Sequence, residues 1–472
     1  MIKQLSQYRF DLYNALPRRA DAVINLLDSL ASTPAAQSVV ELSLSEFFDR
    51  QHSSLYDAVE QFFKPTSPQR AVEEHLDFQK ETLRLSVPYL PKPSKRKFFL
   101  FGVDSVTLPR LYAYTLEDRA FVHQPTVIRG NKPITIGHSY SFLAALPEPK
   151  GGDYKHWVFP LSMQRIASTQ KATEVAQKQF QLLFGQDDLG LKNHFCVGVG
   201  DTAYSAANYL FATYQHDNLV TIARLRGTRK LYRPHQAGKA RKKKSRGRPH
   251  WYGKAVRVND ERLWQAPDET TTVSWTTTRG KIYTVTISAI NNLLMRGKKK
   301  APMHDKPFRS IRIEVTDQEG QAVYKNPLHL AVFGKRQNEL ALPEIYDAFK
   351  ERFNLEHFFR FGKQRLLLAS AQTPNVETEE NWCDITTLTY QQLFLARQEA
   401  QQVHRPWESK TTVDKKEKRA AKSPSVTQRD FARIIRGIGT PAQSPKPRNK
   451  SNGRAQGFKP KPRTKFEVVK KT

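Results

Sequence analysis

The sequence predicts an α/β fold built on one mixed sheet, and three observations lead to that prediction. From residue 98 onward, strand patterns alternate with amphipathic helix patterns, the order expected of a sheet layered with helices. Hydrophobic residues make up 39% of the 472-residue chain, which is enough for a sizeable core. The stretch from 226 to 341 holds strand and turn patterns without a long helical pattern, so it predicts a β-rich insertion.

The core elements follow one another in a regular order. Phe98–Val103 is a nearly continuous apolar run, typical of a strand buried on both faces. The sequence then predicts strands at 120–127, 140–146 and 157–161, a helix at 168–184, a strand at 194–199, a helix at 204–214 and a strand at 219–225. Helices are predicted again at 342–361 and 386–403, so the core resumes after the insertion.

Two flanking regions differ in texture from the core. The N-terminal region is predicted to be helical, and it ends in a basic linker that contains several prolines. From residue 410 to 472 the chain has 19 Lys and Arg against 4 Asp and Glu, so we expect a disordered basic tail. Within it, Phe431–Ile438 is a candidate for one amphipathic helical turn. The predicted regions are 1–94 (helical), 95–225 (first part of the core), 226–341 (insertion), 342–405 (second part of the core) and 406–472 (tail).

The charge of the chain points to a polyanionic partner. Lys and Arg number 76 against 45 Asp and Glu, a formal net charge of +31. So many positive charges repel one another unless a polyanion compensates them, and nucleic acid is the usual polyanion. A solvated basic surface would explain the same number. With two cysteines the chain predicts neither a disulfide scaffold nor a cysteine zinc site. No apolar run is long enough to predict a membrane span or a signal peptide.

Two aspartates lie at the ends of predicted core strands. Asp104 follows the strand in FLFGVDSVTLPR, and Asp201 follows the strand in FCVGVGDTAY. Functional polar groups of open α/β sheets gather where strands end. Two or three carboxylates suffice to bind Mg²⁺ together with waters and phosphates. The alternative is that each aspartate only caps a turn or a helix.

A third acidic residue, Glu356, is selected by helical geometry. If one helix runs from residue 342 to beyond 361, Phe349, Arg352, Glu356 and Lys363 fall on one narrow stripe at roughly 100° per residue. Leu342, Ile345 and Phe353 share that side, so the stripe is predicted to face the core. Charges there need partners or a metal. The other acids of the segment, which are Glu344, Asp347 and Glu351, are predicted to face solvent. A structural Arg352–Glu356 ion pair is the alternative.

These residues carry a resemblance to a known family. The chain resembles the DDE transposases of bacterial insertion sequences over roughly residues 95 to 400. Within them it is similar to the subgroup with a Tyr-x2-Arg-x3-Glu-x6-Lys signature. Arg352, Glu356 and Lys363 match that spacing, whereas Phe349 replaces the tyrosine and lacks its hydroxyl. GVDSVTLP around Asp104 and GVGDTAYSA around Asp201 resemble the two aspartate motifs of the family.

The resemblance implies an RNase H-like core that binds two Mg²⁺ ions, with Mn²⁺ able to substitute. Asp104 would bridge the two ions, and Asp201 and Glu356 would complete one side each. Arg352 and Lys363 would hold DNA phosphates near the scissile bond. Phe349 is expected nearby, without the phosphate contact that a tyrosine hydroxyl makes.

Further DNA contacts are expected in the insertion and at the N-terminus. The basic loop 239–248 contains Lys242, Lys243 and Lys244, and Trp251 follows it. Cations beside an aromatic ring suit backbone contact plus stacking on an unpaired base. Trp264 and Trp275 are further candidates, and the alternative for each tryptophan is a place in the core. The N-terminal helices are expected to bind transposon-end DNA, by family analogy.

The function expected is cut-and-paste DNA transposition: cleavage at transposon ends and strand transfer to target DNA. The expected partners are terminal inverted repeats, target DNA and further copies of the chain, as a dimer or a larger synaptic complex. The expected location is the bacterial cytoplasm, in association with the nucleoid. Two alternatives remain: an RNase H-like nuclease or resolvase without strand transfer, and a domesticated, inactive DNA-binding derivative.

Overall fold

A computed structural model describes most of the chain. The described residues are 2–124, 133–148, 156–235, 251–277, 280–401, 422–447, 453, 455–459 and 461–470. The chain forms two compact units. Unit 1 comprises residues 1–95, 105–175 and 354–472, and unit 2 comprises residues 96–104 and 176–353.

Helices and strands alternate through the core, as the sequence predicts. The α-helices of the described segments are α1 (Ile2–Ala15), α2 (Ala20–Ser32), α3 (His52–Glu60), α4 (Ala71–Ser86), α5 (Ala172–Gly185), α6 (Ala207–Thr213), α7 (Leu342–Glu351), α8 (Asn354–Arg365), α9 (Val376–Ala396) and α10 (Pro424–Ile438). The strands are β1 (Phe99–Pro109), β2 (Ala120–His123), β3 (Ile134–Ala145), β4 (Phe159–Ile166), β5 (Cys196–Gly200), β6 (Leu219–Arg224), β7 (Lys230–Pro234), β8 (Tyr252–Arg257), β9 (Glu269–Thr276), β10 (Ile282–Leu293), β11 (Phe308–Thr316) and β12 (Leu328–Phe333).

Unit 2 is organised around a mixed sheet. The first half of β1 pairs in parallel with β5, and β5 pairs in parallel with β6. Strands β12, β11, β10 and β9 extend the sheet beyond β6 through antiparallel pairs. Strands β7 and β8 form a separate antiparallel ribbon. All strands from β7 to β12 lie between residues 226 and 341, which confirms the predicted β-rich insertion.

Unit 1 combines the N-terminal helices with an antiparallel group of strands. β3 pairs with β2 on one side, and with β4 along a register that runs from Ser139–Ile166 to Ala145–Phe159. Helix α9 packs against β4 and against α1, α2, α3 and α10. The order β2-β3-β1-β5-β6, with β4 also on β3, is consistent with the predicted RNase H-like fold.

A buried polar cluster joins α9 to the strands of unit 1. The carboxylate of Glu379 accepts hydrogen bonds from Arg110 Nε at 2.8 Å and from the Tyr140 hydroxyl at 2.9 Å, and it contacts His138 Nδ1 at 3.1 Å. The Arg110 and Glu379 side chains are 0% and 1% exposed. Burial alone would penalise the carboxylate, but the hydrogen bond with His138 and the charge of Arg110 outweigh burial, and the pKa of Glu379 lies below its ordinary value. The cluster therefore fixes an ionised glutamate inside the core.

The prediction of a disordered tail is wrong for residues 424–438. Pro424–Ile438 forms helix α10, whose apolar residues Phe431, Ile434 and Ile435 are buried. The sequence FARIIRGI repeats apolar residues at helical spacing, and packing on α2 and α9 supplies the partner that such a face needs. Further on, Val469 forms a parallel bridge with Ala120.

Among the residues described, no helix combines the length and the apolar character needed to cross a membrane.

Candidate active site

Asp104 and Asp201 lie side by side at the end of the β1–β5 pair. The parallel register matches Phe99 with Cys196 and Gly102 with Val199. Continued by two residues, it sets Asp104 opposite Asp201. Neighbouring strands are about 4.8 Å apart, and registered residues of parallel strands project to the same face. Both residues are half-buried. The two carboxylates therefore start from adjacent points on one face of the sheet.

Asp104 lies within β1 and does not end it, contrary to the prediction. The strand runs on to Pro109. The partner strand β5 does end beside Asp104, because it stops at Gly200. The crevice expected at a strand end is therefore formed where β5 ends, next to Asp104.

Asp201 has a local structural role as well as its place at the sheet end. Its Oδ1 accepts a hydrogen bond from the Ala203 N–H at 2.9 Å and so caps the short 3-10 helix at Thr202–Ser205. Gly200 makes this turn feasible, because a Cβ there would lie 2.7 Å from the Tyr204 side chain. The capping alternative is therefore correct for Asp201, yet a carboxylate has about four lone-pair positions and retains capacity for a metal.

Asp104 forms an ion pair with Arg352. Arg352 Nη1 lies 2.8 Å from Asp104 Oδ2, and both side chains are 17% exposed. Arg352 directly follows α7, and its guanidinium lies 5.9 Å from the centre of the Phe349 ring. The two partners are 248 positions apart in sequence. No local pattern could therefore reveal this pair, and sequence reasoning missed it.

Helix α7 is held beside the start of β1 by two further ion pairs. Arg96 Nη1 lies 3.0 Å from Glu351 Oε2, with side chains 12% and 14% exposed. Lys97 Nζ lies 3.7 Å from Glu344 Oε2. The prediction that Glu351 faces solvent is wrong, since its partner Arg96 covers it. Asp347 is 66% exposed, as predicted.

The predicted continuous helix around Glu356 is in fact two helices. α7 ends at Glu351, Arg352 and Phe353 form a turn, and α8 begins at Asn354. The stripe drawn from Phe349 to Lys363 crosses this break, so it does not describe one face. Phe353 is 50% exposed and Glu356 is also exposed. The prediction that both face the core is wrong.

The position of Glu356 in α8 is favourable for its negative charge. It lies in the first turn of α8, where a negative charge is favoured by the helix dipole. Lys363 lies two turns later, half-buried, and burial lowers the pKa of its ammonium group. Both residues belong to unit 1, whereas Asp104, Asp201, Arg352 and Phe349 belong to unit 2.

The donor atoms at the strand ends fit a hard divalent cation. Asp104 and Asp201 offer carboxylate oxygens, the ligands that Mg²⁺ prefers, and Mg²⁺ is commonly held by one or two carboxylates plus water and substrate phosphates. Within the described segments no group of three or more His, Cys, Asp or Glu side chains is arranged to hold a metal ion. A metal ion held by these two aspartates would therefore need further oxygen ligands.

The three tryptophans predicted as candidate DNA contacts differ in how far they are buried. Trp264 is 9% exposed and donates its Nε1–H to the Val258 carbonyl at 2.8 Å, so it is a core residue. Trp251 is 37% exposed and stacks on His304 at 4.2 Å, and Trp275 is 44% exposed. Lys242, Lys243 and Lys244 lie outside the described residues.

Comparison with known proteins shows a family match over the region that contains the two aspartates. The model of a family described as DDE superfamily endonuclease matches residues 11–286, which is more than half of the chain. The match includes Asp104 and Asp201 and ends before Glu356. No curated protein matches the chain.

Proposed function

The chain belongs to the DDE superfamily endonuclease family, and on that premise we propose that it is a transposase. It would cut the ends of a mobile element and join them to target DNA by metal-dependent phosphoryl transfer. The observation that carries this proposal is the parallel β1–β5 register, which brings Asp104 level with Asp201 when it is continued by two residues. Family membership supports nuclease chemistry on a DNA substrate. The cutting of mobile-element ends and the joining step are both proposed.

In this proposal Asp104 and Asp201 hold the divalent ions, Mg²⁺ or in its place Mn²⁺. When bound, two such ions supply activation of the attacking oxygen and stabilisation of the leaving oxygen. Glu356 is proposed as the third carboxylate, because it stands at the family spacing after Arg352. The hydrogen bond from Ala203 fixes one oxygen of Asp201 and thereby orients the carboxylate.

Arg352 and Lys363 are proposed to hold DNA phosphates. The planar fork of Arg352 suits two oxygens of one phosphate, and the ammonium of Lys363 suits a single contact. Burial already lowers the pKa of Lys363, so a phosphate beside it would stabilise the charged form. Phe349 would contribute an apolar surface only. Trp251, exposed on the β7–β8 side of the insertion, is proposed to stack on a base, with Lys242, Lys243 and Lys244 on the backbone.

Several copies are proposed to act together on DNA, as a dimer or a larger synaptic complex that binds the terminal inverted repeats. The N-terminal helices are the proposed binding region for those repeats. In a bacterial cell such a protein would work in the cytoplasm on the nucleoid.

The experiment uses the full chain, Mg²⁺ and a plasmid that carries the inverted repeats flanking its own gene. Excision with joining to a second DNA supports a transposase. Cleavage without joining points to an RNase H-like nuclease or resolvase. DNA binding without cleavage points to an inactive derivative.

Alanine variants of the three acids test the site. Asp104→Ala, Asp201→Ala and Glu356→Ala are expected to abolish cleavage while DNA binding, measured by gel shift, persists. Asp347→Ala, at an exposed acid of α7, is the matched control and is expected to cut like the wild type. Normal cleavage by any of the first three variants would remove that residue from the site.

A further inference from the structure

We propose that Arg352 is a built-in counter-ion of Asp104 that competes with the divalent cation in the DNA-free protein. The inference rests on the proposed function, since it concerns the same carboxylate. Beyond that function, Arg352 would control when the divalent cation binds to Asp104.

The contact between the two side chains carries the inference. Arg352 Nη1 lies 2.8 Å from Asp104 Oδ2, and each side chain is only 17% exposed. At such burial an ion pair is less screened than on the surface, and charge-assisted hydrogen bonds are the stronger kind. The guanidinium therefore lies at the oxygen that a metal ion would need.

The position of Arg352 is set by its surroundings. The residue directly before it, Glu351, is paired with Arg96 at 3.0 Å. The Arg352 backbone N–H donates to the Phe349 carbonyl at 3.3 Å, which closes the end of α7. Arg352 thus starts from an anchored helix end, while its long side chain has several rotatable bonds. The backbone can stay in place while the guanidinium changes partner.

A divalent ion and the guanidinium make competing demands on Asp104. Both bind the same carboxylate, and two cations close to one carboxylate repel each other. Asp201 differs, because its oxygen accepts from the neutral N–H of Ala203. Metal binding to the free protein must therefore offset the loss or weakening of the Arg352–Asp104 pair.

DNA would relieve this competition. A phosphate at the site offers the arginine fork an alternative partner of the same charge sign as Asp104. Asp104 is then available to the metal, so DNA and metal strengthen each other's binding, and this coupling is reciprocal. The protein would load its metal chiefly on substrate, which limits cutting elsewhere.

The test measures Mn²⁺ binding to the full chain without DNA, by electron paramagnetic resonance titration. Arg352→Gln removes the charge and retains a polar side chain. We expect it to bind Mn²⁺ about two- to fivefold more tightly than the wild type, the range for loss of one partly exposed ion pair. Arg312→Gln removes an arginine of β11 whose side chain is 10% exposed and pairs with Glu261 and Glu314, and it is expected to leave the affinity unchanged. Equal affinity of Arg352→Gln and the wild type would overturn the proposal, and so would an equal gain in both variants.

A second measurement does not depend on the folding of Arg352→Gln. A short duplex that carries the terminal repeat is added to the wild type and to Asp104→Asn. The duplex is expected to tighten Mn²⁺ binding at the protein site of the wild type only. No tightening in the wild type, or the same tightening in Asp104→Asn, would contradict the proposal.

The two levels of inference fail in different ways. If the wild type binds no Mn²⁺ with or without DNA, the metal site of the proposed function is wrong. The proposed competition between Arg352 and the metal is then wrong as well. If the wild type binds Mn²⁺ and cleaves DNA but Arg352→Gln gains no affinity, only the role of Arg352 as a competing counter-ion is wrong.

Discussion

Two arginine–carboxylate pairs in this molecule have similar contact distances and different surroundings. Arg110–Glu379 in unit 1 and Arg352–Asp104 in unit 2 each have a closest N–O distance of 2.8 Å. The first is buried at 0% and 1% exposure, and its carboxylate is also bound by His138 and Tyr140. The second is 17% exposed on both sides, at the level where β5 ends.

The difference teaches how to tell a structural pair from a candidate functional one. A carboxylate enclosed by three side-chain partners of its own fold has no access to a metal or a substrate. A half-buried carboxylate at a sheet end can exchange its partner. The distance between the charges does not distinguish the two cases, whereas burial and position in the sheet do.

The largest expected contrast is in activity. Asp104→Asn should lower DNA cleavage by roughly a thousandfold or more, because it removes a proposed metal ligand. Glu379→Gln should cleave at near wild-type rate when assayed well below its unfolding temperature. The measurement is the initial rate of plasmid cleavage in Mg²⁺. A Glu379→Gln protein that is folded and inactive would contradict the comparison.

Stability should show the opposite order. Glu379→Gln leaves the Arg110 charge buried without its counter-ion and should cost about 3–5 kcal/mol of unfolding free energy. Asp104→Asn should cost about 1 kcal/mol or less, because solvent can compensate the partly exposed Arg352. Denaturant titration of both variants gives the two values. Equal losses would mean that Arg352–Asp104 is as structural as the buried pair.

The buried pair should also make the protein sensitive to acid. The folded pKa of Glu379 lies below its ordinary value of 4.5, so the unfolded chain binds the proton more readily. This contribution to stability is complete above pH 4.5 and is lost as the pH falls through the folded pKa. Unfolding free energies measured from pH 6 downward should fall more steeply in the wild type than in Glu379→Gln. Parallel curves would remove Glu379 from the acid response.

The smallest predicted effect concerns a single donor in the buried cluster. Tyr140→Phe removes the hydroxyl that lies 2.9 Å from Glu379 and leaves the ring in place. The expected cost is about 1 kcal/mol, the usual net value of one hydrogen bond. Phe142→Leu, two residues further along β3, is a packing control without a hydrogen bond, and thermal unfolding compares the two. A loss of several kcal/mol in Tyr140→Phe would show that the cluster acts as one cooperative unit.

The sequence by itself determined the α/β class, the β-rich character of residues 226–341 and the place of both aspartates directly after apolar runs. These features depend on local periodicity, which the residues carry with them. Phe98–Val103 predicted a buried strand because an apolar run has few other solutions, and Asp104 and Asp201 follow such runs.

Only the tertiary structure decided the features that depend on distant partners. It placed Asp104 level with Asp201 through the β1–β5 register, and it paired Asp104 with an arginine 248 positions away. It broke the helix at Arg352 and exposed Glu356, which periodicity alone had set toward the core. It also folded part of the basic tail as α10, because a packing surface for its apolar face exists elsewhere in the chain. Local sequence fixes the period of an element, but its end, its partner and its burial are set by contacts that the period does not encode.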